Sequence, residues 1–222
     1  MDELRLTLVT DRTQTRGRDL VALVAECVAV GLPSVQVREK DLSTAELAAL
    51  CRRLREPTRE CRAHLIVNDR ADVALAVGAD AVQRTHASLT VAEIRTVVDK
   101  RLSIGASVHS LEDALVAGAE GADWIVFGPV YDTVSKRRYG PPQGLAKLDA
   151  VTRAVRIPVV AIGGITPERV GEVRAAGAHG VAAISAILAA ESPASATRQF
   201  LDALGSDSQR PRRHVKIRQP KD

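Results

Sequence analysis

Val77-Gly78-Ala79-Asp80 reads as a helix ending that runs straight into a strand. The chain repeats it as Glu120-Gly121-Ala122-Asp123 and Ala176-Gly177-Ala178-His179. In each copy a glycine closes a stretch of helical periodicity, where a left-handed residue is cheapest, and a short apolar run follows. Working outward from these joints, the runs 4–10, 34–38, 64–67, 81–83, 102–107, 124–127, 159–162 and 180–184 read as strands. Amphipathic patterns near 18–30, 43–56, 70–77, 90–100, 110–118, 145–155, 167–176 and 193–204 read as helices. Ser43 with Glu46, and Ser110 with Asp113, have capping-box spacing, and Thr166-Pro167 supplies a cap followed by proline at the first helical position. Gly31, Gly78, Gly118 and Gly177 sit where helices are predicted to stop. Strand–helix units joined by short turns need a parallel sheet, and eight of them at this length predict a single α/β domain, a closed (β/α)8 TIM barrel over residues 1–205. An open doubly wound sheet is the alternative, but no Gly-x-Gly-x-x-Gly follows the first strand.

Composition agrees with that architecture. Hydrophobic residues make up 45% of the chain and aromatics only 2%, so the core must be built from Ala, Val, Leu and Ile. The net charge of +4 is local to the end of the chain. Removing the six cations and two acids of residues 206–222 from the 31 and 27 of the whole sequence leaves 25 of each. The body is therefore neutral, so a nucleic-acid-binding body is unsupported, since such domains carry a basic stripe. The 206–222 tail, basic and poor in apolar residues, is expected to be disordered. Cys27, Cys51 and Cys61 are odd in number and lack metal-ligand spacing, so a reducing, cytoplasmic compartment is expected. The sequence shows neither a signal peptide nor a membrane span. A homo-oligomer is compatible with these residues but not read from them.

In such barrels the working groups sit where strands end and the following loops begin. Along Val35-Gln36-Val37-Arg38-Glu39-Lys40, strand alternation sends Gln36, Arg38 and Lys40 one way and the valines the other. Two cations and an amide on an apolar strand need an anion, supplied either by Glu39 or Asp41 or by a ligand. Asn68-Asp69 follows strand three, and Ser107 with His109 follows strand five. The polar loop 131–142 after strand six carries Thr133, Ser135 and Lys136, and Lys136 is expected to close over a bound polyanion. Gly163-Gly164 after strand seven, with Ser185 after strand eight, occupies the usual phosphate position, where missing Cβ atoms let an oxygen approach backbone N–H groups. Asp69 reads equally as a magnesium ligand beside phosphate oxygens or as the N-cap of the next helix. Two phosphate sites, one with a metal carboxylate, describe an enzyme that joins two phosphorylated small molecules.

Seven passages carry a family resemblance: Leu8-Val9-Thr10-Asp11, Val35-Gln36-Val37-Arg38-Glu39-Lys40, Val67-Asn68-Asp69-Arg70, Gly105-Ala106-Ser107-Val108-His109, Phe127-Gly128-Pro129-Val130-Tyr131, Ser135-Lys136 and Ala161-Ile162-Gly163-Gly164-Ile165. In order and spacing, residues 4 to about 204 resemble thiamine phosphate synthase and its relative, the TenI-type thiazole tautomerase. The synthase joins hydroxymethylpyrimidine diphosphate to a thiazole phosphate, giving thiamine phosphate and pyrophosphate. The resemblance implies that Gln36, Arg38, Lys40, Asn68 and Lys136 hold the diphosphate, with Ser107 and Thr133 nearby. It makes Arg38 and Lys136 the catalytic cations and Asp69 a Mg2+ ligand. Gly164 and Ile184-Ser185 would hold the thiazole phosphate, with Ser135 between the two groups.

The resemblance is mixed at two diagnostic places. The synthase pattern carries a second magnesium carboxylate after strand four, and Arg84-Thr85-His86-Ala87-Ser88-Leu89 places Ser88 there. The tautomerase pattern has a histidine after Phe-Gly on strand six, where this chain has Pro129, leaving His86 and His109 as substitutes for a general acid/base. His109 reads first as a capping or structural histidine. The expected activity is the synthase, the alternative is the tautomerase, and the third reading is a barrel that binds a thiamine-related phosphate without turnover.

Overall fold

The computed structural model describes residues 2–133 and 140–206. Eight parallel strands close into a barrel in chain order: β1 Leu6–Val9, β2 Ser34–Val37, β3 His64–Asn68, β4 Ala81–Arg84, β5 Ser103–Val108, β6 Trp124–Phe127, β7 Val159–Ile162 and β8 Gly180–Ala183. Around it lie α1 Leu20–Ala29, α2 Thr44–Glu60, α3 Ala71–Ala76, α4 Val91–Val98, α5 Leu111–Ala119, α6 Gly144–Ala154, α7 Val170–Ala175, α8 Ser185–Leu188 and α9 Pro193–Ser206. The last strand returns to the first, with Leu6 opposite Val181 and Thr7 opposite Ala182. Among the described residues no helix is long and apolar enough to cross a membrane.

Strand alternation sorts the core into two layers. Leu6, Leu8, Val35, Val37, Leu65 and Val67 pack outward into the sheet–helix layer. Val9, Ile66, Trp124, Val126 and Val160 fill the barrel interior. Both faces are buried, which is why the strands read as nearly continuous apolar runs. The single tryptophan fits inside because its neighbour on β5 lacks a side chain. A Cβ on Gly105 would lie 2.2 Å from Trp124 Cε2 and from Gln83 Oε1.

The repeated joint has a physical explanation at the other end of the barrel from the site. Gly78, Gly121 and Gly177 take positive φ of 61°, 89° and 89°. The acid two residues later then staples the sheet. Asp80 accepts the Leu65 N–H at 2.7 Å and pairs with Arg55, while Asp123 accepts the Ile104 N–H at 2.7 Å and pairs with Arg95. In the third copy a histidine stands at the acid's position, and its carbonyl receives Arg174.

Some local expectations need correction. Gly118 lies inside α5, and the turn falls to Gly121. Ser43 and Glu46 form the full reciprocal box, as do Thr90 and Glu93, but Asp113 reaches back to the His109 N–H rather than to Ser110. Thr166-Pro167 opens a single 3-10 turn, Pro167–Arg169, before α7 begins. The short helix α8, which starts directly after β8, was not anticipated.

Candidate active site

The C-terminal ends of the strands gather most of the expected residues, and β2 arranges its own differently from the alternation argument. Gln36 is buried inside the barrel and its Nε2 donates to Asn68 Oδ1 at 3.1 Å. The strand stops at Val37, so the alternation has nothing to run along beyond it. Arg38 is half-buried, its backbone N–H donating to Thr10 Oγ1 at 2.9 Å, whereas Lys40 is exposed in a turn. Lys40 is therefore not part of one strand row with Gln36 and Arg38.

The neighbouring acids do not neutralise these cations. Glu39 is buried and accepts both the Arg12 backbone N–H and the Arg12 guanidinium, each at 3.2 Å. Asp41 takes the other arm of Arg12 at 2.6 Å. Among the described residues neither the Arg38 guanidinium nor the Lys40 ammonium forms an ion pair or side-chain hydrogen bond. Asp11 is the acid that feels Arg38. Burial raises its pKa, but hydrogen bonds from Thr13 and Gln14 and the Arg38 charge outweigh burial and hold the carboxyl below its ordinary range.

At the end of β3, Asn68 is buried and Asp69 is exposed with a left-handed φ of 69°. The capping expectation for Asp69 fails: the N-cap position of α3 is Arg70, which forms no side-chain cap. The Asp69 N–H closes onto Gln83 O at 2.9 Å, and its carboxylate is contacted by the Ser88 hydroxyl. Ser88 is fixed in turn by the Thr85 N–H and hydroxyl at 2.9 and 2.7 Å. The two residues expected at a metal thus meet, as one carboxylate and one hydroxyl. Among the described residues no three His, Cys, Asp or Glu side chains form a metal-holding cluster. Any cation here would need ligand oxygens to complete its shell, as magnesium commonly does with phosphates.

Gln83 carries chemistry the sequence reading missed. It is fully buried, its Nε2 donates to Ser107 Oγ at 3.0 Å, and its Oε1 has no hydrogen-bond partner among the described residues. The signal was present: a lone amide on the inward face of an apolar strand. His109 behaves structurally, its ring Nδ1 lying 2.6 Å from Gly128 O and its backbone N–H donating to the Asp113 carboxylate. His86 is exposed.

Loops after β6 and β7 interlock. Val130 and Tyr131 N–H donate to Ile162 and Gly163 carbonyls at 2.8 and 3.0 Å. Gly163 and Gly164 both have positive φ, 103° and 66°. A Cβ on Gly163 would lie 2.5 Å from Pro129 Cβ, and one on Gly164 2.8 Å from Tyr131 Cβ. The space that glycine leaves is thus filled by the β6 loop, so ligand approach is not what excludes side chains there. Among the described residues the N–H groups of Gly163, Gly164 and Ile165 are not donated to any acceptor. Ile184 is half-buried against the barrel interior, and Ser185 is exposed at the start of α8. Thr133 is half-buried and its Oγ1 has no partner among the described residues. Ser135 and Lys136, with the expected closure of Lys136, lie outside the described residues, as does the basic tail from 207 onward.

The thiamine monophosphate synthase family profile matches residues 6–187. A Methanoculleus marisnigri protein named thiamine-phosphate synthase is 43% identical over 201 residues, covering 90% of this chain and 95% of its own. A Chloroflexus aurantiacus protein of the same name is 42% identical over 196 residues, covering 88% and 90%. The solved structure of thiamine phosphate pyrophosphorylase from Pyrococcus furiosus superposes with a TM-score of 0.84 at 38% identity, covering 92% of this chain and 96% of that one.

Proposed function

We propose that this chain, which belongs to the thiamine monophosphate synthase family, joins hydroxymethylpyrimidine diphosphate to a thiazole phosphate, releasing pyrophosphate. The carrying observation is the diversion of Glu39 and Asp41 to Arg12, which leaves the half-buried Arg38 cation at the barrel mouth without an ion pair among the described residues. A cation held that way is preorganised for an anionic ligand and needs no partner to be broken before binding.

The residues divide the work by position. Arg38, Lys40 and Asn68, with Lys136 from the β6 loop, bind the diphosphate. Gln36 Nε2 fixes the Asn68 carbonyl, which leaves the Asn68 amide N–H groups to point at an acceptor. Ser107, oriented by Gln83, and Thr133 line the same side. Gly164, Ile184 and Ser185 take the thiazole phosphate, and Ser135 is assigned to contact both halves. In the reaction the bond from the pyrimidine methylene to the diphosphate oxygen breaks, its electron pair leaving with pyrophosphate. The thiazole nitrogen supplies the pair for the new carbon–nitrogen bond. Arg38 and Lys136 are the catalytic cations because they meet the charge that grows on the leaving oxygens. The two phosphate anchors hold nitrogen and methylene in line, and positioning supplies much of the remaining acceleration. No side-chain base is required.

Magnesium fits the site as a substrate-completed ion. Asp69 gives a carboxylate and Ser88 a hydroxyl in contact with it, and the diphosphate gives the remaining charged oxygens. When bound, the ion would offset the negative charge of the departing pyrophosphate. The tautomerase reading lacks its histidine at the strand-six position, where Pro129 stands; of the two substitutes, His86 is exposed and His109 Nδ1 is bonded to Gly128 O. We also propose that the barrel, whose cations and acids are equal in number, makes no nucleic-acid contact, and that the protein works in the cytoplasm.

Incubating the purified protein with both substrates, with and without magnesium, tests this reading. Magnesium-dependent coupling with equimolar pyrophosphate is expected. Isomerisation of the thiazole alone without metal, or binding of either phosphate without turnover, would sink it.

A further inference from the structure

Arg169 stands outside every residue group assigned above, yet two contacts converge on it and a third braces its partner. Its Nη1 donates to Gly164 O at 2.6 Å. Its guanidinium lies 4.3 Å from the centroid of the Tyr131 ring. Tyr131 is fixed in turn by donating its hydroxyl to Glu172 Oε1 at 2.5 Å. Burial first, and then the Glu172 hydrogen bond, push the Tyr131 pKa well up, so the phenol stays protonated and keeps donating. The clasp ties the start of α7 to the start of the β6 loop across the glycine turn.

We infer that Arg169 is a positioning residue for the thiazole phosphate, holding the Gly164–Ile165 peptide in the orientation that presents backbone N–H groups to the ligand. In a trans peptide the N–H points opposite to the C=O. Drawing the Gly164 carbonyl toward Arg169 therefore turns the Ile165 N–H away from it. Gly163, Gly164 and Ile165 then offer three successive N–H groups with no acceptor among the described residues, the arrangement that backbone anion sites use. Left unheld, a two-glycine turn with both φ positive has more conformational freedom than any other dipeptide, and the peptide plane would flip readily. Lysine cannot replace this function fully, since it lacks the planar fork that stacks on a ring and bonds a carbonyl together. The inference rests on the thiazole phosphate occupying the β7 and β8 loops.

The test is steady-state kinetics with each substrate varied separately, on Arg169→Ala, Arg169→Lys and Ser185→Ala. Arg169→Ala should raise KM for the thiazole phosphate about tenfold, the scale of one charge-assisted hydrogen bond, with KM for the pyrimidine diphosphate within about twofold. Arg169→Lys should recover part of the loss. An unchanged thiazole KM in Arg169→Ala while Ser185→Ala raises it would overturn the role of Arg169 alone. Unchanged thiazole KM in both would overturn the phosphate placement and the inference with it. Equal rises in both KM values for Arg169→Ala would indicate general loosening and also reject the role. Should Arg169→Ala fail to fold, Tyr131→Phe, which loses only the bond to Glu172, should show a smaller rise confined to the same substrate, and no such rise would reject the inference.

Discussion

The Glu39 carboxylate accepts from Arg12, 27 residues away in sequence, and not from Arg38, its neighbour in the chain. Electrostatics of the barrel mouth follow from that choice. Arg12→Ala keeps the backbone N–H that Glu39 accepts but removes the guanidinium, so the carboxylate loses its charged partner and should compete with the diphosphate for Arg38. The expected result is a rise in KM for the pyrimidine diphosphate of roughly fivefold, the scale of one partly exposed ion pair near 1 kcal/mol. Arg12→Ala with Glu39→Gln should restore much of it, because the released acid is gone. A double variant no better than the single one argues that Arg12 acts only through folding.

Ser88 touches the one carboxylate of the proposed metal site. Ser88→Asp adds a second anionic ligand, so half-saturation by magnesium should shift to lower concentration in an activity titration. Asp69→Asn should lower the metal-dependent rate by roughly a hundredfold, the scale of losing charge stabilisation in a transition state. An unshifted magnesium curve in Ser88→Asp would mean that residue 88 does not face the ion.

Gly105 makes room for both Trp124 and Gln83. Gly105→Ala should destabilise the barrel by about 2–3 kcal/mol, since an interior methyl must displace an indole or a buried amide. Urea unfolding followed by tryptophan fluorescence measures it, with the only indole reporting from the perturbed site. A midpoint equal to that of the unmodified protein would contradict the packing.

Burial pushes the Cys27 thiol up to about 11 and the Cys51 thiol up to about 12, while Cys61 is exposed. At pH 8 the native protein should therefore take one equivalent of iodoacetamide, at Cys61, by peptide mass spectrometry. The sign of the linked stability follows. A thiol that ionises later when folded favours the folded state fully only below its ordinary value near 9, and stability should fall as pH rises through 11 to 12. Rapid labelling of all three cysteines would show that the barrel opens far more readily than its packing implies.

Sequence reasoning succeeded where the chemistry is local. Glycine-ended helices and apolar runs placed all eight strands, because each joint carries its own turn requirement and each strand is buried on both faces. It placed Asn68, Asp69, Ser107, Gly164 and Ser185 at strand ends for the same reason. It failed at Lys40, because alternation was extended past Val37, where the backbone leaves the sheet. It gave Gly163 and Gly164 the wrong reason, since the bulk that excludes a Cβ comes from Pro129 and Tyr131 on another loop. Gln83 was overlooked although an inward amide on an apolar strand is a readable signal.

By itself the sequence determined the closed barrel, its strand order and the ring of polar residues around one end, since periodicity and glycine placement act over a few residues. Only the tertiary structure decided which acid meets which cation, and which loop fills the space beside the glycine pair. Those outcomes depend on pairs such as Arg12 with Glu39 and Tyr131 with Arg169, separated by 27 and 38 positions. Closure of the barrel brings them within bonding distance, and no local pattern encodes which partner wins.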